Sequence, residues 1–417
     1  MKKQEVFQAY QDYVMPTYAR TPVIFVKGKG MQMADIDGRK YLDFFPGWGV
    51  SSLGHCHHGV VAAVRDQIGK LIHLPNNYLS LQQAKLAREL IYWTFPGKVF
   101  FANSGAEANE AAVKLARGYG RGRYEIISFE NSFHGRTLAT LTMTGQPKHQ
   151  EGFSPLPEGF RSVPFNDINA LEKALTPKTI AIIIELIQGE GGINVAASDF
   201  VLALRKMCVE KKLLLIVDEV QTGLGRTGKL FAYQHYGITP DVLTLAKALG
   251  GGLPIGVMIA KREIADTLTA GKHASTFGGS PLVCKAALAV FKAIQKEKLL
   301  ANAQRMGGSL KEKLEGLSRK HTIIKEIRGL GLMLGIELDM DAKPIVEEAF
   351  KYGLLINCTH DKVLRLMPAL NVNEKQIDKA VNILDRALSK VTSPSTTLRT
   401  GAERSRSARN QSTETRE

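Results

Sequence analysis

The chain reads as an α/β protein with a mostly parallel central sheet in a large domain and a smaller α+β domain after it. Three observations carry that reading. From Val99 onward, short apolar runs alternate with helical stretches, as in a parallel sheet covered on both faces. Two of these runs, Leu213 to Val217 and Val242 to Ala246, end in Asp218-Glu219 and in Lys247. They deliver an acid and an amine to the carboxyl ends of strands, where ligands of such sheets sit. Beyond about residue 300 the alternation gives way to a long polar helix and short strands. The expected division is an N-terminal segment over 1–55 packing with the small domain, a large domain over 56–298, a small domain over 299–391 and a tail over 392–417.

Taken in order, residues 2–14 form a short helix closed by Pro16, and Ile24 to Phe45 are extended with a turn at Asp37-Gly38. The following Gly54-His55-Cys56-His57-His58 offers ligand types that suit zinc, but adjacent residues on one short segment seldom close a metal shell, so no metal is expected. Helices span roughly 59–71 and 80–93, the second capped by Ser80. Strands then fall near 98–101, 124–129, 180–187, 213–217, 242–246 and 255–260. The small domain has strands near 323–328, 332–338, 354–357 and 363–367, with helices over 343–352 and 373–389. The polar, serine- and arginine-rich tail is expected to be disordered.

Composition narrows the function. The chain has 417 residues, 44% of them hydrophobic, and a mean hydropathy of −0.09, as in a soluble globular protein. Its start lacks the apolar core of a secretory signal, and no run reaches membrane-spanning length. Cys56, Cys208, Cys284 and Cys358 are scattered, which fits free thiols in a cytoplasmic setting. The net charge of +15 is spread over many amphipathic helices without a nucleic-acid module, so it points to acidic small ligands instead of DNA.

An acid and a lysine on one rim suit pyridoxal phosphate chemistry: the amine forms a Schiff base with an aldehyde and the acid keeps a ring nitrogen protonated. On spacing alone, an exposed lysine and a capping aspartate read the same way. Gly223 to Lys229 also satisfies GxxxxGK, but Leu230 lacks the hydroxyl that a P-loop needs, and no strand leads directly into Gly223. Asn103-Ser104-Gly105-Ala106 opens a helix at a strand end, where free backbone N–H groups can take a phosphate or where Asn103 or Ser104 simply caps.

The runs NSGAEANEAA, SFHGRTLAT, TGQPKHQEGFSPLPEGFRSVPFND, QGEGG, DEVQTGLGRTGKLFAYQHYGITPD, LAKALGGGLPIG and STFGGSPL resemble the class III (ω-amino) aminotransferases over roughly residues 15–390. They are most like the acetylornithine/succinylornithine branch. The resemblance implies the PLP-dependent transferase fold type I, a homodimer with shared active sites, and transfer of the terminal amine of N-acetylornithine to 2-oxoglutarate in arginine biosynthesis. It implies Lys247 as the Schiff-base lysine and proton carrier, Asp218 at the pyridinium nitrogen, Gln221 at the phenolic oxygen and Phe133 on the ring face. Ser104, Gly105 and Ala106 would hold the phosphate, and Thr276 would reach the phosphate in the other subunit. Arg136 resembles the clamp for a distal carboxylate, Arg365 the clamp for an α-carboxylate, and Glu190 the gate that masks Arg365. Ser275, Glu185 and Tyr18 also fall at family positions, Tyr18 near the substrate entrance.

Three residues depart from the pattern: Leu186 and His58 stand where proline is usual, and Trp48 where acetylornithine enzymes carry an aliphatic residue. Trp48 leaves ornithine, succinylornithine and 4-aminobutyrate open as donors. A carrier-linked lysine, an aminomutase, or a silent PLP- or nucleotide-binding protein are the further alternatives.

Overall fold

In the computed structural model the described residues are 1–393. The tail expected to be disordered lies almost wholly outside them. A seven-stranded sheet forms the centre, in the spatial order Gly97–Ala102, Gly256–Lys261, Val242–Leu245, Leu214–Asp218, Thr179–Ile184, Glu125–Phe129, Phe160–Val163. Gly256–Lys261 runs antiparallel to both neighbours, and the other pairings are parallel. The central strands are apolar throughout because both faces are covered: every residue of Thr179–Ile184 and Leu214–Asp218 is buried. Each fully buried aliphatic side chain there contributes about 1.5–3 kcal/mol relative to exposure.

Helix Gly105–Tyr119 covers one face, packing on Gly97–Ala102, Val242–Leu245 and Gly256–Lys261. Helix Pro281–Lys296 contributes to the core on the other side and packs against His58–Ile68 and Leu81–Trp93. Beyond it, Leu299–Lys320 leads into a second, four-stranded sheet ordered Ile324–Leu330, Met333–Leu338, Val363–Leu366, Asn357–Thr359. A third sheet joins the chain's start to this C-terminal part: Phe25–Lys29, Gln32–Asp35 and Lys40–Asp43 continue into Leu354–Leu355, paired with the last of them through Leu42↔Leu354.

The structure alters several expected elements. The run 180–187 breaks at Glu185, whose carboxylate turns to accept from the Phe133 N–H at 2.8 Å, and Ile187–Gln188 forms a separate hairpin with Asn194–Val195. The run 354–357 splits between two sheets. Phe160–Val163 was not read from the sequence; it is an edge strand whose middle residues, Arg161 and Ser162, are polar.

Candidate active site

Leu214–Asp218 and Val242–Leu245 run parallel with Asp218 opposite Thr244, so Asp218 and Lys247 leave the sheet at the same end. Lys247 starts a 3-10 turn, Lys247–Gly250, with φ at 42°. That left-handed kink costs about 1–3 kcal/mol for a residue with a side chain, and it redirects the chain where the amine enters a cavity. The cavity, of about 500 Å³, is lined by Ser104, Gly105, Ala106, Phe133, Arg136, Glu185, Glu190, Asp218, Gln221 and Lys247. Its size suits a small-molecule site.

Asp218 is buried and held from three sides. Its Oδ2 accepts from Asn109 Nδ2 at 2.7 Å and from His134 Nδ1 at 2.8 Å, and its Oδ1 accepts from the Val220 N–H at 3.0 Å. Asn109 also donates to the His134 carbonyl at 2.8 Å, so one amide fixes both the acid and its histidine. His134 Nε2 has no hydrogen-bond partner although it is buried. Asn109 and His134 were not singled out from the sequence. The signal was there for Asn109, a buried amide on the apolar face of an alanine-rich helix.

Burial lowers the pKa of Lys247; Glu190 works against that shift and Arg365 adds to it. Burial also raises the Glu185 carboxyl to about 7, partly countered by His134 and reinforced by Asp218. For Glu190, burial alone would raise the carboxyl, but Arg365 and the nearby Lys247 bring it below the ordinary range.

Ser104 caps helix Gly105–Tyr119, accepting from the Glu107 N–H at 3.2 Å. A Cβ on Gly105 would lie 2.7 Å from Val220 Cγ1, so only glycine lets this helix start against the loop after Asp218. The positive helix end, a fixed acid, a desolvated amine and the Phe133 ring surround one cavity. That set fits a phosphorylated aldehyde carrying a ring nitrogen.

Arg365 lies in the small sheet on Val363–Leu366 and is fully buried. Its Nη1 and Nη2 donate to Glu190 Oε1 and Oε2 at 2.7 and 3.2 Å, its Nε donates to Asn357 Oδ1 at 3.1 Å, and Nη1 also reaches the Gly189 carbonyl. Gln221 bridges the pair, donating to Glu190 Oε1 at 3.4 Å and accepting from Arg365 at 3.3 Å. Arg136 makes no ion pair among the described residues; its guanidinium stands 5.5 Å from the Phe133 ring centre.

Two further family positions lie apart from this cavity within the single chain. Tyr18 is exposed, its ring under Arg20. Thr276 is exposed on the loop that begins at Ser275, and Ser275 Oγ accepts from Asn103 Nδ2 at 3.1 Å beside the cavity. Trp48 is half exposed with φ at 54° and meets Phe45 edge-to-face at 5.6 Å, while Phe45 lies 4.7 Å under Arg365. His57, His58 and Glu297 bring three ligand atoms within 4.8 Å of one another. His57 Nδ1, however, accepts from the Gly59 N–H, which leaves the ring proton on Nε2 facing Glu297, and Lys285, Lys292 and Lys296 line the same groove. Both features disfavour a cation.

The sequence model of the family described as Aminotransferase class-III matches residues 13–388. An acetylornithine aminotransferase of Methanocaldococcus jannaschii is 50% identical over 396 residues, covering 94% of this chain and 100% of that protein. The ornithine aminotransferase of Toxoplasma gondii ME49 superposes with a TM-score of 0.90 at 34% identity, over 94% of this chain and 96% of that one. The acetylornithine aminotransferase of Elizabethkingia anophelis gives 0.85 at 33% identity, over 93% and 99%.

Proposed function

The chain belongs to the class III aminotransferases, and from that premise we propose that it transfers the terminal amine of N-acetylornithine to 2-oxoglutarate, giving a semialdehyde and glutamate. The observation that carries the reading is one cavity lined by Lys247, Arg136 and Glu190, in which Glu190 holds the buried Arg365 and Arg136 has no ion-pair partner among the described residues.

When bound, pyridoxal phosphate supplies an aldehyde that takes up the amine and a ring that draws electrons from the neighbouring carbon. The chain's own groups do the rest. Lys247, made less basic by burial, can take and return a proton at Nζ. Asp218, fixed by Asn109 and His134, offers a carboxylate to a ring nitrogen without having to reorganise. Ser104 and the N–H groups of Gly105 and Ala106 would hold the phosphate, Phe133 would wall one ring face, and Gln221 would meet the phenolic oxygen.

Carboxylate count sets the role of the arginines. N-acetylornithine brings a single carboxylate, which Arg136 binds while Glu190 keeps Arg365 neutralised. 2-Oxoglutarate brings two, and the second displaces Glu190 from the Arg365 fork. Trp48 favours ornithine as the second donor to test, since its ring borders the Phe45 side of the Arg365 pocket.

We further propose a homodimer in which Thr276 enters the partner's site and Tyr18 borders its entrance. The free cysteines fit a cytoplasmic enzyme of arginine biosynthesis. The deciding experiment mixes the cofactor-loaded protein with N-acetylornithine, ornithine or 4-aminobutyrate and follows loss of the cofactor's visible absorbance in one turnover. N-acetylornithine should react fastest. No reaction with any donor, or full turnover by Lys247→Ala, would refute the proposal.

A further inference from the structure

The glycine-rich run that mimics a P-loop has a different use. Arg226, at its centre, is 1% exposed and pairs with no carboxylate among the described residues. Burial lowers its pKa to about 10. Its hydrogen bonds go to neutral oxygens, Nη1 to the Leu332 carbonyl at 3.0 Å and to the Pro368 carbonyl, and Nη2 to Ser52 Oγ at 3.0 Å, while the buried Nε has no partner among the described residues. A buried cation without a counter-ion is costly, so packing alone does not account for it.

What the fork joins does account for it. Leu332 precedes strand Met333–Leu338, and Pro368 follows strand Val363–Leu366; these two strands pair through Leu334↔Leu366 and Gly335↔Arg365. Because the strands are antiparallel, Leu332 and Pro368 lie at the same end of the ladder, and Arg226 grips both strands there, with Arg365 three residues before Pro368. Its backbone carbonyl also accepts from the Leu332 N–H at 3.0 Å. A Cβ on Gly331 would lie 2.5 Å from the Thr227 carbonyl carbon, so the two segments meet backbone to backbone. In the other direction, Arg226 follows Asp218 and Gln221 on one continuous loop, and Ser52 donates to the Gly49 carbonyl at 2.7 Å beside Trp48 and Val50. One guanidinium thus ties together the acid's loop, the N-terminal rim and the Arg365 strand. Nη1 takes the carbonyls of both strands while Nη2 reaches Ser52, so the planar fork joins the strands to the N-terminal rim in one fixed geometry.

We propose that Arg226 is a positioning residue that sets Arg365 relative to Gln221 and Lys247 for binding the α-carboxylate of the acceptor. The inference rests on the functional reading above. Because Arg365 is neutralised by Glu190 during the donor half and engaged during the acceptor half, misplacing it should separate the two halves kinetically.

The test compares wild type, Arg226→Met and Arg226→Lys as cofactor-loaded enzymes, measuring melting temperature, both half-reactions, and KM for donor and for 2-oxoglutarate. For Arg226→Met the expected result is a rise of about tenfold in the 2-oxoglutarate KM, with donor KM and the donor half-reaction within about twofold. Arg226→Lys should fall between that variant and wild type, and it carries the test alone if Arg226→Met does not fold. A folded variant with an unchanged 2-oxoglutarate KM overturns the inference. So does a loss shared equally by both halves that follows melting temperature, which is the signature of a merely structural arginine. A wild type that accepts no amine from glutamate overturns the functional reading, and this inference with it.

Discussion

At the scale of single residues, the site depends on how firmly its charged groups are held. Asp218 relies on Asn109, whose amide also holds the His134 backbone. Replacing Asn109 with leucine removes a donor to a buried carboxylate, an interaction worth about 1.5–3 kcal/mol. The expected outcome is a loss of roughly ten- to a hundredfold in kcat/KM for both substrates, measured by steady-state kinetics, together with weaker cofactor retention on dialysis. Glu190 occupies the Arg365 fork, and on the proposed reading it competes with substrate there. Glu190→Gln keeps the shape and removes the charge. It should leave Arg365 open to 2-oxoglutarate and slow the donor half-reaction by about tenfold, and single-turnover rates for the two halves measured separately would check this. An equal effect on both halves would show that Glu190 does not gate.

At the scale of elements, the turn that follows Asp218 hangs on a second acid. Glu219 is buried, and its two oxygens accept from the Ala232 N–H at 2.7 Å and the Tyr233 N–H at 2.8 Å, pinning the 3-10 turn Ala232–His235. Burial raises its carboxyl to about 7. In the unfolded chain it titrates near the ordinary glutamate value of about 4.3. The folded state therefore binds the extra proton between those limits, and stability falls as pH rises through that window, by an amount on the order of 3–4 kcal/mol from this group. Glu219→Gln should flatten the dependence of melting temperature on pH between about 4.5 and 7, whatever its constant offset; an unchanged slope would remove Glu219 as the source.

The same scale shows what the sequence revealed. Strands buried on both faces are continuous apolar runs, so Leu214–Asp218 and Val242–Leu245, and with them Asp218 and Lys247, could be read from composition along the chain. Phe160–Val163 could not, because one neighbour and an open edge relax its pattern to include arginine and serine. The breaks at Glu185 and Ile356 were hidden for a tertiary reason: each apolar run continues past the point where the chain changes sheet. His134 and Arg226 escaped because their roles rest on partners 84 to 174 residues away.

At the scale of the whole molecule, one surface remains unexplained by a single chain. Leu79 is 101% exposed, and Tyr78 and Phe277 are also open to solvent. They belong to one face: Asn76 donates to the Ser275 and Gly278 carbonyls at 3.0 Å each, the His73 and Phe277 rings lie 5.4 Å apart, and Leu79 and Ser275 line one groove. Apolar groups clustered in this way mark an interface. Thr276, outside the cavity of its own chain, stands in the middle of this face. If the face joins two copies, each Thr276 is delivered to the other's site, and assembly and activity become one property. Leu79→Glu would bury a charge at the contact without touching either cavity. It should convert a dimer to a monomer by sedimentation and lower activity by an order of magnitude or more, with part of the loss recovered as protein concentration rises. A Leu79→Glu monomer with full activity at nanomolar concentration would show that each chain's site is complete alone, and Thr276 would then have no part in it.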